Sequence, residues 1–246
     1  MAKPFIRFEN VYKSFGDNHV MKGVSFSIFE GEVSTIIGKS GVGKSVLLKH
    51  IIDLMQNDSG TIYYDGKPFS DMTTQDRKKM KRKFSYMFQG TALFDSMSIY
   101  DNIALPLRET TRFSRNKIKE LVDEKMDQLE LFEHSDSYPS QISGGMKKRV
   151  ALARALITNP EVVLFDEPTT GLDPIRRNAV HNMISEYQKK FGFTCIIVSH
   201  EIPDVFYISQ RIAMLDEGKI VFEGTPSDIQ QQDNPAINNF ISGGAS

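Results

Sequence analysis

Val33-Ser34-Thr35-Ile36-Ile37-Gly38-Lys39-Ser40-Gly41-Val42-Gly43-Lys44-Ser45 is a short apolar run leading into the pattern GxxxxGK[ST]. The order strand, glycine loop, helix is what turns that pattern into a phosphate site. Glycines let the loop curl until successive backbone N–H groups face one anion. The helix that opens near Lys44 adds the positive end of its dipole. The predicted nucleotide contacts are therefore Gly38, Lys39, Ser40, Gly41, Val42, Gly43, Lys44, Ser45 and Val46. Lys44 reaches the β- and γ-phosphates and the Ser45 hydroxyl sits on Mg²⁺. A glycine turn before an ordinary helix is the alternative. Lys44 and Ser45, placed directly after the second glycine of the pattern, argue against it.

On the N-terminal side, Phe5-Ile6-Arg7-Phe8, His19-Val20-Met21 and Val24-Ser25-Phe26-Ser27-Ile28 read as short strands. With Gly60–Gly66 they predict a small, mainly antiparallel sheet beside the phosphate-binding strand. On the C-terminal side, the apolar residues of 45–55 keep helical spacing. Phe84–Phe88 returns as a strand, and 97–157 alternates charged and apolar residues at a helical period, as an inserted helical region. Val162–Phe165 and Cys195–Val198 are wholly apolar and separated by a helix around 175–190, which predicts a parallel sheet covered on both faces. A hairpin, Arg211–Leu215 and Lys219–Glu223, closes the core.

Of the 246 residues, 40% are hydrophobic and 25% charged, enough to bury a full core. The formal net charge of −1 gives no field drawing the chain to nucleic acid or an anionic surface. The lone Cys195 forms no internal disulfide, which fits a reducing compartment, and its apolar surroundings read as core. Met-Ala-Lys-Pro-Phe-Ile-Arg-Phe-Glu predicts no secretory leader, and no apolar run is long enough to span a bilayer. Work at a membrane would thus pass through a partner.

Hydrolysis needs a held metal, an oriented water and a sensor of the γ-phosphate. Asp166 and Glu167 follow the apolar strand Val162–Phe165, at the strand end where open α/β sheets bind ligands. Asp166 suits the Mg²⁺ side, directly or through water, and Glu167 the attacking water. Gln89 and His200 also follow apolar strands. A Gln offers an amide oxygen to metal, and a His contacts γ-phosphate oxygens. Gln141-Ile142-Ser143-Gly144-Gly145-Met146 opens a second helix able to hold an anion. One nucleotide does not need two such cradles from one chain. The economical reading is head-to-tail pairing, in which Ser143, Gly144 and Gly145 of one copy cap the γ-phosphate held by the other.

Gly38–Ser45, Gln89, Ile-Ser-Gly-Gly-Met, Phe165-Asp166-Glu167-Pro168, Gly171-Leu172-Asp173 and Ser199-His200, in this order, resemble the motif set of ABC transporter ATPase subunits. The resemblance runs from about residue 5 to 225. It implies an α/β P-loop NTPase fold: a RecA-like parallel-sheet core, an N-terminal antiparallel β subdomain and an inserted α-helical subdomain. As one nucleotide-binding domain over 1–246, it would have its core and β lobe at about 1–94 and 158–225, its helical subdomain at about 95–157 and a tail at 226–246. The implied cofactors are ATP and Mg²⁺. The implied catalytic residues are Glu167, His200, Gln89 and Lys44, and the metal-side residues Ser45, Gln89 and Asp166. Phe15 falls where the family stacks an aromatic on adenine, with Tyr12 as a nearby competitor.

The family's signature segment usually ends in Gln, where Met146 stands here. That ending, with Phe88–Phe94, Ala104–Glu109, Gly171–Ile175 and the tail around Asn234–Gly243, resembles the Mla/Mce-associated branch, which powers lipid traffic between bacterial membranes. The resemblance implies a second copy, integral membrane permease subunits, an MCE-type lipid-binding subunit and a small regulatory subunit as partners, no nucleic acid, and the cytoplasmic face of the inner membrane. An importer or exporter of small solutes, or a soluble non-transport ABC ATPase, is the alternative.

Three further features stay open. The basic run Arg77–Lys83 is a solvated helix face or a contact for anionic headgroups or acidic loops. The apolar residues of 93–107 form either subdomain core or a groove for a permease helix. Ile237, Phe240 and Ile241 dock on the domain, a partner or a second copy. His19, His50, His134 and His181 have no metal-site spacing and read as structural or surface residues.

Overall fold

The computed structural model describes residues 3–87 and 90–241, so Phe88, Gln89 and the stretch 242–246 lie outside the described residues. β1 (Pro4–Phe15), β2 (Asn18–Phe29), β4 (Ser59–Tyr64) and β5 (Lys67–Pro68) make an antiparallel sheet in the order β2-β1-β4-β5. The second sheet runs β10-β9-β3-β8-β7-β6. Its strands are β3 (Val33–Ile37), β6 (Phe84–Met87), β7 (Val162–Asp166), β8 (Thr194–Ser199), β9 (Arg211–Asp216) and β10 (Lys219–Gly224). All its pairings are parallel except the β9–β10 hairpin, which adds an antiparallel edge.

The continuous apolar runs are continuous because both faces of this sheet are covered. In β7, Val162 and Leu164 face one core and Val163 and Phe165 the other; in β8, Ile196 and Val198 oppose Cys195 and Ile197. The first core is closed by the antiparallel sheet and by α1 (Lys44–Ile51). The second is closed by α3 (Ile99–Thr110), α4 (Arg115–Gln128), α5 (Gly144–Leu156) and α6 (Pro174–Phe191). Each fully buried Leu, Ile or Phe contributes about 1.5–3 kcal/mol of apolar burial, and this holds the strands that carry the site.

Two expectations need correction. His19–Met21 and Val24–Ile28 are not separate strands but one strand, β2. Gly23, which reads as a break, takes φ 85° at a bulge where Val24 pairs Val11 and Lys22 pairs Tyr12. The helix expected over 45–55 ends at Ile51, because Asp53 turns the chain with φ 52°.

The basic run is partly neutralised from within. Arg77 and Lys81, on α2 (Thr74–Lys81), lie 2.7 and 3.3 Å from the well-buried Asp53 carboxylate, and Lys83 lies 2.8 Å from Glu161. Of the residues in 93–107, Ile99, Ile103, Ala104 and Leu107 are core, whereas Phe94 is exposed. The tail folds as α7 (Pro226–Gln230) and α8 (Pro235–Ile241). Ile237 is buried and Phe240 and Ile241 pack on the same core, so this cluster docks on its own domain. His50 and His181 are buried, and burial holds both imidazoles below their ordinary value.

Candidate nucleotide site

Register brings the sequence motifs to one edge. Ile37 pairs with Ser199 and Asp166 with Val198, so Gly38, Glu167 and His200 leave neighbouring parallel strands at the same end of the sheet. The loop after β3 depends on its glycines. A Cβ on Gly38 would lie 2.3 Å from the Leu215 carbonyl oxygen, and one on Gly43 2.7 Å from a Val20 methyl. Gly41 and Gly43 take φ 78° and 110°. α2 to α7 each begin with a side chain capping the first turn: Thr73, Ser98, Ser114, Ser143, Asp173 and Thr225. α1 begins at Gly43 with no such cap, which leaves its first N–H groups for a phosphate.

Lys44 is almost fully buried, and its ammonium donates to the carbonyls of Gly38 (2.8 Å) and Lys39 (2.9 Å). The Glu167 carboxylate lies 3.6 Å away. Burial pulls the Lys44 ammonium below its ordinary value, and Glu167 opposes that shift. The Ser45 hydroxyl faces Asp166 Oδ1 at 3.4 Å. Two hard oxygen donors converge there, a set that fits Mg²⁺ completed by substrate phosphates and water. Among the described residues there is no group of three or more His, Cys, Asp and Glu that could hold a metal ion.

Glu167 occupies a left-handed backbone conformation, φ 48°, rare for a residue with a side chain and of a kind that gathers at functional sites. Its N–H donates to Val198 O at 3.0 Å, fixing the turn. His200 Nδ1 lies 3.2 Å from Glu167 Oε1, a close contact without hydrogen-bond alignment. The Thr170 hydroxyl donates to Oε2 at 3.0 Å. Burial raises the affinity of Glu167 for a proton, but Thr170, His200 and Lys44 together outweigh it and hold the carboxyl below its ordinary value.

Several partners of these groups have no signature in a single sequence. The Tyr86 hydroxyl donates to Asp166 Oδ2 at 2.6 Å, and burial with that contact raises the phenol's pKa. Lys148, on α5, donates to the carbonyl of Pro168, next to Glu167. Arg154, two turns further on, donates to the carbonyls of Thr91 and Ala92, just past the position of Gln89. The hydroxyl of Tyr86 on β6, and Thr170 three residues after Glu167, were the only local hints.

Phe15 is exposed at the end of β1, with the Lys13 ammonium 5.6 Å from its ring centroid. Tyr12 is also exposed, but its hydroxyl lies over Gly23, where an added Cβ would be 2.9 Å away. Ser143 caps α5 by accepting from Met146 N at 3.3 Å. Ser143, Gly144 and Gly145 border a groove of about 680 Å³ whose other wall includes Leu172 and Arg176. The structure thus brings Lys44, Ser45, Asp166, Glu167 and His200 together, while Ser143–Gly145 form a separate surface.

Residues 21–170 match the family model described as ABC transporter. This chain belongs to the ABC transporter family. As an ABC ATPase it binds ATP with Mg²⁺. It is 36% identical over 238 residues to a Mycobacterium tuberculosis protein named a probable ribonucleotide transport ATP-binding protein, across 97% of this chain and 66% of that one. It is 38% identical over 254 residues to the Arabidopsis thaliana protein trigalactosyldiacylglycerol 3, chloroplastic, across 97% and 73%. A Bacillus cereus methionine import ATP-binding protein is 35% identical over 239 residues, across 96% and 70%. The chain spans about two thirds of the length of these curated relatives.

Among solved structures, cbiO1 of Clostridium perfringens, part of an ABC transporter complex, superposes with TM-score 0.85 at 29% identity over 93% of this chain and 91% of that one. The MJ0796 cassette, described as a dimer in a post-hydrolysis state with ADP and phosphate, gives TM-score 0.75 at 30% identity over 90% and 98%. The ABC ATPase fold expected from the motifs is the fold observed. No helix of the described residues is long and apolar enough to cross a membrane.

Proposed function

We propose that this ATPase is the motor of a transporter that moves phospholipid or a related lipid between membranes. It would act as a head-to-tail pair at the cytoplasmic face of the inner membrane, bound to separate permease subunits. An MCE-type lipid-binding subunit and a small regulatory subunit would complete the complex. The observation that carries the pairing is the separation of the two cradles: Lys44 is enclosed by its own chain, whereas Ser143–Gly145 are exposed at a groove. The dimeric MJ0796 cassette and the complex containing cbiO1 support the same arrangement. The lipid assignment rests on Met146 and the accompanying branch motifs. The name of the Arabidopsis relative, which contains that of a glycerolipid, favours it too.

In the proposed site, bound Mg²⁺ would supply Lewis-acid neutralisation of phosphate charge. Ser45 and Asp166 would hold it, with Gln89 as a further candidate contact. Lys44 and the amides of Gly38–Val46 orient the phosphates, and Phe15 stacks on the base. Glu167, kept ionised, accepts a hydrogen bond from the attacking water and aligns it with the γ-phosphorus. His200 holds the γ-phosphate oxygens against that water. Ser143, Gly144 and Gly145 of the facing copy close the phosphate from outside. One domain over 1–246, with the helical subdomain at 95–157, would pass this closure to the permease.

The methionine and ribonucleotide names of other relatives favour a second reading, import of a small polar solute. Purification with the neighbouring membrane subunits, followed by mass spectrometry of bound molecules and ATPase assays in vesicles, separates the two. Co-purified phospholipid and stimulation by it are expected. Stimulation by methionine or a ribonucleotide, with no bound lipid, would overturn the lipid assignment.

A further inference from the structure

The turn that carries His200 away from β8 is held from outside the nucleotide site. α6 starts just past Glu167, with Asp173 as its N-cap, and presents Arg177 and, one turn later, His181 to the segment after His200. The Arg177 guanidinium lies 3.5 Å from Asp204 (Nε to Oδ2) and 3.8 Å from Glu201 (Nη1 to Oε1). These side chains are largely withdrawn from solvent, and His181 is buried beneath them. Arg177 Nε, Glu201 Oε2 and both His181 ring nitrogens are buried without a hydrogen-bond partner.

Charges this close but not aligned are a loose arrangement of groups that favour a tighter one. Charge-assisted hydrogen bonds settle near about 2.7–2.9 Å, and buried donors left unmade are costly. Glu201 is the residue next to His200, and its N–H is already fixed to the Ser199 hydroxyl at 3.0 Å. Holding Glu201 and Asp204 against Arg177 therefore ties down the turn that sets the His200 imidazole against Glu167. A displacement of about 1 Å at a reacting group is enough to change turnover substantially.

We propose that Arg177, acting through Glu201 and Asp204, is the positioning residue for His200. It fixes the His200 turn to α6, the helix that follows Gly171-Leu172-Asp173. The inference rests on the reading of His200 as a γ-phosphate contact. A double-mutant cycle in the full chain separates the two claims.

ATP turnover is measured for wild type, Arg177→Met, Glu201→Gln, His200→Ala and the double variant Arg177→Met/His200→Ala. His200→Ala should lose most of its turnover. Arg177→Met should lower kcat about tenfold with KM within about twofold, and Glu201→Gln should do the same more weakly. Arg177→Lys, which keeps the charge, should recover most of the loss. In the His200→Ala background, Arg177→Met should cost less than about twofold. If His200→Ala turns over normally, the reading of His200 fails, and the proposal with it. If His200→Ala is impaired while Arg177→Met is normal, only the positioning claim fails. It also fails if the two losses multiply. Should Arg177→Met not fold, Glu201→Gln, nearly isosteric, runs the same cycle with the same criteria.

Discussion

The glycine-flanked helix starts at Lys44 and at Gly144 differ in what the chain itself supplies around them. The first is enclosed. Its glycines abut Leu215 and Val20, its lysine is buried on two loop carbonyls, and Ser45, Asp166 and Glu167 stand beside it. The second is open. Ser143, Gly144 and Gly145 are exposed, and a Cβ on Gly144 would meet nothing within 4 Å. α5 is nonetheless well anchored behind its N-terminus. Lys148 holds the Pro168 carbonyl and Arg154 those of Thr91 and Ala92. A firmly mounted surface with no content of its own is what a site completed from another chain requires.

Glu167→Gln breaks the enclosed half most severely. ATP binding should persist while turnover falls on the order of 10²-fold or more, read by nucleotide fluorescence and phosphate release. Near wild-type hydrolysis would mean another residue orients the water. Gly38→Ala and Gly144→Ala sharpen the contrast through stability. The first places a Cβ 2.3 Å from the Leu215 carbonyl and should lower unfolding stability by about 1–3 kcal/mol. The second should stay within about 0.5 kcal/mol of wild type in urea titrations. Equal losses would erase the distinction.

Tyr86→Phe removes one hydrogen bond from Asp166 and should raise the Mg²⁺ concentration for half-maximal turnover about fivefold, with maximal turnover little changed.

The smallest effect is on pH dependence, in residues behind the site rather than in it. His50, on α1, and His181, on α6, are held below the ordinary imidazole value of 6.5 by burial. As pH falls through 6.5, the unfolded chain takes up protons there before the native state does, so stability is lost toward acid. The midpoint of thermal unfolding should drop between about pH 7.5 and 5.5, and drop less in His50→Leu. An unchanged difference in that variant would remove His50 from the account.

What was legible in the sequence was whatever repeats or is continuous along it. The glycine loop, the apolar runs within β7 and β8 and the long helix α6 have local patterns that their packing demands. The partners that tune the site do not. Tyr86 meets Asp166, Lys148 meets Pro168 and Arg177 meets Glu201 only after strands and helices distant in sequence are laid side by side. Gly23 shows the opposite failure: a residue that signals a turn also serves a bulge, and strand pairing decided between them. Gln89 was marked by its place after an apolar strand and by its place in the order of motifs.

Disulfide trapping between chains that each carry one engineered cysteine tests the central claim, that each site is finished by a facing copy. One chain carries Ser40→Cys and the other Gly144→Cys, both in the Glu167→Gln background, since native Cys195 is buried. With ATP and Mg²⁺ present, the two chains should crosslink to each other efficiently, and poorly without nucleotide. No crosslink between chains, together with ready closure inside a single chain carrying both cysteines, would contradict the account.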